Sequence, residues 1–192
     1  MRGELLHRKE IIILTAIEII DECGIQGLST REIAKRQGIS EGTLFRHFKT
    51  KNEIILAALD HFAKYDSDIF KSVELKGLHP KEAICYAIEA YATYYENYPA
   101  ITAIMQIYGV LLHEPDLSRK ISSILDRRKA FLVNVIDDCK KAGELAADVD
   151  SDVLADIITG TFASICLSWR LADCGFSLRN KAMLAMKMIL AA

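Results

Sequence analysis

Between Gly27 and Lys51 the chain sets six basic side chains (Arg31, Lys35, Arg36, Arg46, Lys49, Lys51) against two acidic ones (Glu32, Glu41), a local charge of +4. Interleaved with them are the hydroxyls of Thr30, Ser40 and Thr43 and the imidazole of His47. Ammonium, guanidinium and hydroxyl groups are the usual donors to phosphate oxygens, and a guanidinium can also grip the edge of a guanine with two bonds. The whole chain carries −2, so the remainder carries −6. A basic stretch on an acidic body implies a polyanionic partner for that stretch alone.

Other candidate chemistry falls short of its pattern. Asp148-x-Asp150-x-Asp152 begins like a calcium loop, but Val153 stands where Gly is needed and Thr159 where Glu is needed. It reads better as a helix-capping turn. His113-Glu114 lacks the second His of a zinc protease motif. No nucleophile elbow, phosphate-binding loop or dinucleotide fingerprint occurs. Five cysteines (Cys23, Cys85, Cys139, Cys166, Cys174) are widely spaced, with no C-x-x-C, and read as reduced structural thiols. The expectation is a protein that is not an enzyme and needs no metal or cofactor.

The elements that must position the basic stretch are helical. Proline, a helix-interior breaker, occurs only three times in 192 residues, and 51% of residues are hydrophobic. Pro80, Pro99 and Pro115 fall at expected helix starts, and Gly24, Gly27, Gly38, Gly77, Gly143 and Gly175 near expected turns or ends. The spacing predicts an all-α fold of about nine helices: His7 to Cys23, Thr30 to Gln37, Glu41 to Phe48, Lys51 to Val73, Pro80 to Asn97, Pro99 to His113, Asp116 to Ala142, Ser151 to Asp173 and Leu178 to Ala191. The longest uncharged apolar-rich stretch, Ile157 to Trp169, has 13 residues, short of the ~18 needed to span a bilayer. With no secretory leader pattern at the start, the chain is expected in the cytoplasm and not in a membrane.

The second and third helices follow helix-turn-helix logic. Ile33 and Ala34 face inward, and Ala34 is small enough for a second helix to cross close by. Gly38 permits the sharp turn because it takes positive φ readily. Ile39 fills the corner, and Leu44 and Phe48 anchor the next helix at i and i+4. In that register Ile33-Ala34-x-x-x-Gly38-Ile39-Ser40-x-Gly42-Thr43-Leu44-Phe45-x-His47-Phe48-x-x-Lys51 resembles the DNA-binding domain of TetR-family transcriptional regulators. The resemblance extends over roughly residues 8 to 60.

The resemblance and the residue chemistry together nominate a DNA-binding set: Thr30, Arg31, Ser40, Glu41, Gly42, Thr43, Phe45, Arg46, His47, Lys49 and Lys51. Thr30, at a helix N-terminus, is set against a phosphate. His47 and Lys51 match phosphate-contacting positions of the family. Ser40 and Thr43 donate to phosphate or base, and Gly42 lets the helix approach the groove. Arg46 suits guanine. Two roles fit Glu41: accepting from cytosine N4 or favouring a helix N-terminus. Phe45 stands where the family usually has Tyr, so a phosphate-bonding hydroxyl is missing there.

The resemblance implies that the rest of the chain binds a small ligand and forms a homodimer. Accordingly, residues 1–50 are expected to bind DNA and 51–192 to bind ligand and dimerise. The apolar character of the last two helices supports association. Ile157, Gly160, Ser164, Leu167, Ala182 and Met186 are expected at that interface. Tyr91, Tyr95, Met105, Tyr108, Phe131 and Trp169 could line an apolar ligand cavity with a few hydroxyls in it. The partners implied are a double-stranded DNA operator, a second copy of the chain and an unidentified small-molecule effector. The expected function is a repressor released from a pseudo-palindromic operator by a small apolar or aromatic ligand. A regulator that works without a ligand, or as an activator, is the alternative on the same scaffold.

Overall fold

The computed structural model describes residues 2–191, with side chains from residue 7 onward. Every regular element among them is helical. In chain order these are α1 (Arg2–Gly27), α2 (Thr30–Arg36), α3 (Glu41–Phe45), α4 (Lys51–Phe62), α5 (Asp66–Lys76) and α6 (Pro80–Asn97). A 3₁₀ turn (Pro99–Thr102) and two single turns, α7 (Ala103–Gln106) and α8 (Tyr108–Leu111), lead to α9 (Pro115–Lys141), α10 (Ser151–Leu171) and α11 (Leu178–Leu190).

Helix starts are fixed by short polar side chains. Ser29, Ser40, Thr50 and Ser177 each accept from a backbone N–H three residues on, and Asp150 accepts from Asp152 and Val153. Each such cap satisfies a donor that the helix cannot, worth about 1 kcal/mol. The acidic triplet at 148–152 thus opens α10.

The chain forms two compact units: Met1–Lys64 with Ala100–Ser123, and Tyr65–Pro99 with Ile124–Ala192. In the first, α1 packs on α2, α4 and α7. Ile12, Ile17, Ile19, Leu28, Ile33, Leu44, Ile54, Leu59 and Phe62 form its dry centre. In the second, α6 packs on α5 and α11, and α11 on α10. Its core includes Ile84, Tyr95, Ile136, Ile158, Trp169, Leu178, Ala182 and Met186. Packing therefore divides the chain elsewhere than at residue 50, because α4 buries Ile54, Ala58 and Leu59 in the first unit.

Several helices differ from the sequence reading. The stretch expected as one helix from Lys51 to Val73 breaks between Phe62 and Asp66. The new helix begins on Asp66, whose carboxylate turns into the core of the second unit and is fully buried. The expected helix from Pro99 to His113 is instead a run of three single turns. The first helix continues to Gly27 but is broken at Gly24, which takes φ 67° and ψ 177°.

Asp66 is held from three sides. Its Oδ1 accepts from the Tyr91 hydroxyl at 3.0 Å and from Arg128 Nη2 at 2.8 Å. Its Oδ2 accepts from Arg128 Nε at 3.0 Å and Arg127 Nη2 at 3.1 Å. The Arg128 guanidinium also lies over the Tyr91 ring, 4.9 Å from its centre. Burial, reinforced by the Asp66 charge, pushes the Tyr91 phenol far above its usual range.

Candidate nucleic-acid interface

The helix-turn-helix is built as its residue pattern demands. Ile33, Ala34, Leu44 and Phe48 are buried, whereas Arg31, Glu41, Gly42, Phe45, Arg46 and Lys49 are exposed. Gly38 takes φ +61°. Its N–H donates to Lys35 O at 3.2 Å, and the Ile39 N–H to Ala34 O at 3.0 Å. This pair of bonds closes a helix end and needs the left-handed residue between them. α3 ends at Phe45, earlier than expected, because the His47 N–H bonds Leu44 O, three residues back, at 2.9 Å. Such a bond tightens the last turn, and Arg46 and His47 are carried on that turn.

Outward, the surface is charged and partly pre-set. Ser40 Oγ accepts from Thr43 N at 3.1 Å and lies 3.0 Å from Thr43 Oγ1. Thr30 Oγ1 donates to Glu41 Oε2 at 2.8 Å. Lys49 Nζ donates to Phe45 O at 3.0 Å, and Lys51 Nζ to Ile25 O at 3.2 Å. Phe45 keeps 40% of its surface exposed, a large apolar ring left on an otherwise polar face.

Not all of the local charge faces a partner. Arg36 pairs with Glu22 at 2.8 Å and with Glu32 at 3.0 Å. The bond from Arg36 holds the Glu32 carboxyl below its usual range, with Lys35 adding to the effect. Lys35 and Arg36 therefore largely offset acidic neighbours on α1 and α2.

Two basic residues outside the Gly27–Lys51 count join the surface from α1. Lys9 Nζ sits over the Phe48 ring, 5.5 Å from its centre. Lys9 and Arg8, with Arg46, add to burial in pulling the His47 imidazole below its usual range. The adjacent Arg8-Lys9 pair was the available signal; a charge count started at Gly27 passed over it.

The ligand and dimer candidates separate on burial. Ile157, Gly160, Ser164 and Leu167 on α10 are exposed. With Val153 and Leu171 they recur at steps of four and three along one face, and the four large residues there are 48–79% exposed. Ala182 and Met186 are corrected: both are fully buried within the single chain, where α11 packs on α6 and α10. Leu184 and Met188 are the exposed apolar residues of that helix. The outward stripe of α10 is bare in the single chain. By length and composition α10 is the one described helix apolar enough to cross a membrane, yet its Asp152 and Asp156 pair with Lys129 and its other face is core.

Of the ligand candidates, Met105 and Tyr108 belong to the first unit and Tyr91, Tyr95, Phe131 and Trp169 to the second. The Tyr91 hydroxyl is engaged by Asp66, Tyr95 stacks on Phe162, Phe131 stacks on Phe70, and Trp169 is buried. Burial pushes the Cys139 thiol up to about 11 and the Cys166 thiol up to about 12, so both stay protonated near neutrality. Among the described residues no three His, Cys, Asp or Glu side chains form a metal-sized cluster.

Comparison with known proteins agrees with this geometry. Residues 12–58 match the model described as bacterial regulatory proteins, tetR family, and residues 67–192 match the YsiA-like protein, C-terminal region. The uncharacterised HTH-type transcriptional regulator YerO of Bacillus subtilis is 26% identical over 135 residues, 67% of this chain and 47% of YerO. The chain thus spans about half the length of that relative. The HTH-type transcriptional repressor BepR of Brucella suis biovar 1 is 22% identical over 190 residues, covering 92% of this chain and 87% of BepR. The crystal structure of the transcriptional regulator FadR from Bacillus subtilis in complex with stearoyl-CoA superposes with a TM-score of 0.82. That likeness is at 21% identity, over 94% of this chain and 97% of FadR, and it shows a shared fold.

Proposed function

The chain belongs to the TetR family of bacterial regulatory proteins, and from that premise we propose that it is a homodimeric repressor released from its operator by a small apolar effector. Its family and fold are those of DNA-binding transcriptional regulators rather than enzymes. One observation carries the reading: the buried Ile33, Ala34, Leu44 and Phe48 mount Arg31, Thr43, Arg46 and His47 on one short helix-turn-helix, with Lys49 and Lys51 following at its exit into α4. His47, Lys49 and Lys51 hold the DNA backbone and set register, whereas Arg31 and Arg46 reach base edges. Ser40 and Thr43 share one hydroxyl pair that donates to a phosphate.

Dimerisation is supported by the bare stripe of α10 and by Leu184 and Met188 of α11. A soluble monomer seldom leaves so continuous an apolar strip in water. Gly160 and Ser164 leave room in that strip for a second backbone, and a two-fold four-helix packing covers it with its own copy. Such a dimer presents two recognition helices to half-sites about 34 Å apart.

An effector that binds better to a conformer with another spacing lowers DNA affinity by linkage. The name of BepR supports a repressor, and the stearoyl-CoA bound to FadR makes long-chain acyl thioesters the first effectors to test. Selection of bound DNA from a random pool, followed by a screen of acyl-CoA thioesters, steroids and planar aromatics for release, tests the reading. A two-fold symmetric site that one class releases is the expected result. Failure to enrich any sequence overturns the operator, and a flat response to every compound overturns the switch.

A further inference from the structure

We infer that Glu41 reads a cytosine in the major groove, and that Thr30 is the positioning residue that aims it. The inference rests on the DNA-binding reading above and goes beyond it by assigning a base and a pair of residues.

A carboxylate on a face that meets phosphodiesters is repelled unless the DNA returns a donor. Within Gly27–Lys51 the other carboxylate, Glu32, is already held by Arg36 and Lys35. Glu41 has no ion pair among the described residues; its bond is the one from the Thr30 hydroxyl, 2.8 Å away on α2. Ser40 already serves as the N-cap of α3, and the favourable charge of Glu41 in the first turn does not require the bond from Thr30. The side chain is exposed beside Gly42 and close in sequence to Phe45 and Arg46, which share the outward surface.

Two major-groove donors are available to a carboxylate, the amino groups of cytosine and adenine. Adenine places the N7 acceptor beside its N6 amino group, which repels a carboxylate and favours an amide side chain. Cytosine N4 suits a pure acceptor. Thr30 takes one oxygen of Glu41 and so restricts the side chain before DNA arrives, leaving the second oxygen for the base. Less rotamer freedom is then lost on binding. The Thr30 hydroxyl, set against a phosphate on sequence grounds, here faces the carboxylate.

The test is selection from a random DNA pool with the full-length chain, comparing wild type, Glu41→Gln, Thr30→Val, Thr30→Ser and the Thr30→Val/Glu41→Gln pair. A mismatch at a read base pair typically costs on the order of 5- to 150-fold. Wild type is expected to prefer cytosine by at least the lower figure at one position per half-site. Glu41→Gln is expected to move that preference to adenine, because an amide matches N6 and N7. Thr30→Val should weaken the cytosine preference, and Thr30→Ser, which keeps the hydroxyl, should restore it. In the Glu41→Gln background Thr30→Val should change nothing at that base pair. Unchanged thermal midpoints of these variants check that they fold. Retention of the wild-type preference by Glu41→Gln overturns the base assignment. Equal weakening on all sequences by Thr30→Val makes Thr30 a phosphate contact and overturns the pairing. A wild type that enriches no sequence at all removes the DNA-reading premise itself, a different and recognisable failure.

Discussion

Replacing Asp66 with alanine should destabilise the protein by about 3–5 kcal/mol, the range for stripping one partner from a buried ion pair. The size follows from what remains. The Asp66 side chain is 1% exposed, and the Arg128 side chain that grips it through Nε and Nη2 is 15% exposed. Without the carboxylate, Arg128 is a nearly dry cation that has lost the anion it grips, and the Tyr91 hydroxyl loses its acceptor. Arg127 is a useful contrast. It reaches the same carboxylate at 3.1 Å with 47% of its side chain in water, so Arg127→Ala should cost no more than about 1 kcal/mol. Asp66→Asn keeps an acceptor for Tyr91 but not the charge, and should fall between. Replacing Asp66 and Arg128 together by leucine removes both charges, so this pair should cost less than Asp66→Ala alone. Urea unfolding followed by far-ultraviolet circular dichroism measures each term, with a midpoint drop of roughly 6–20 °C expected on heating Asp66→Ala. A loss below about 1 kcal/mol, the range of an exposed pair, or strictly additive effects in the double variant, would refute the argument.

Further outcomes follow from the DNA-binding and dimer surfaces. Lys51→Ala should weaken binding to all sequences alike and reduce the salt slope by about one; titration over a range of salt concentrations checks this, and an unchanged slope removes Lys51 from the phosphate contacts. His47 is held below its usual pKa by burial, Lys9, Arg8 and Arg46, and an adjoining phosphate raises it again. DNA binding therefore takes up a proton, so affinity should fall as pH rises between about 5 and 8, and His47→Gln should flatten that slope. Leu167→Arg, on the bare stripe of α10, should yield a folded monomer in sedimentation. Met186→Ala, in the single-chain core, should instead cost about 2–5 kcal/mol of stability with association intact in the folded fraction.

The reading head was legible because each of its residues answers a local demand. Gly38 for positive φ, Ser40 for a cap, and Leu44 and Phe48 one turn apart speak within a few positions of one another. Asp66 was not legible for the opposite reason. Its charge is met by Arg127 and Arg128, more than sixty residues onward, and an acidic residue in a helical pattern reads as solvated. The face of α11 was misread because both sides of that helix are apolar. Lys181 and Lys187 do not separate Ala182 and Met186, which pack inward, from Leu184 and Met188, which do not. The three turns between Pro99 and Leu111 contain no second proline and one glycine, Gly109, so nothing in their composition divides them.

The broken end of α1 has a spectroscopic use. Gly24 leaves the helical path and Ile25 O receives an ammonium hydrogen from Lys51. An ammonium has three hydrogens, so a phosphate drawn to Lys51 shares that cation with a main-chain oxygen on another helix. The carbonyl carbon of Ile25 then becomes a built-in reporter of backbone occupancy. Isotope labelling at that one site would follow DNA engagement by chemical shift, without a dye and without altering a residue that touches the duplex.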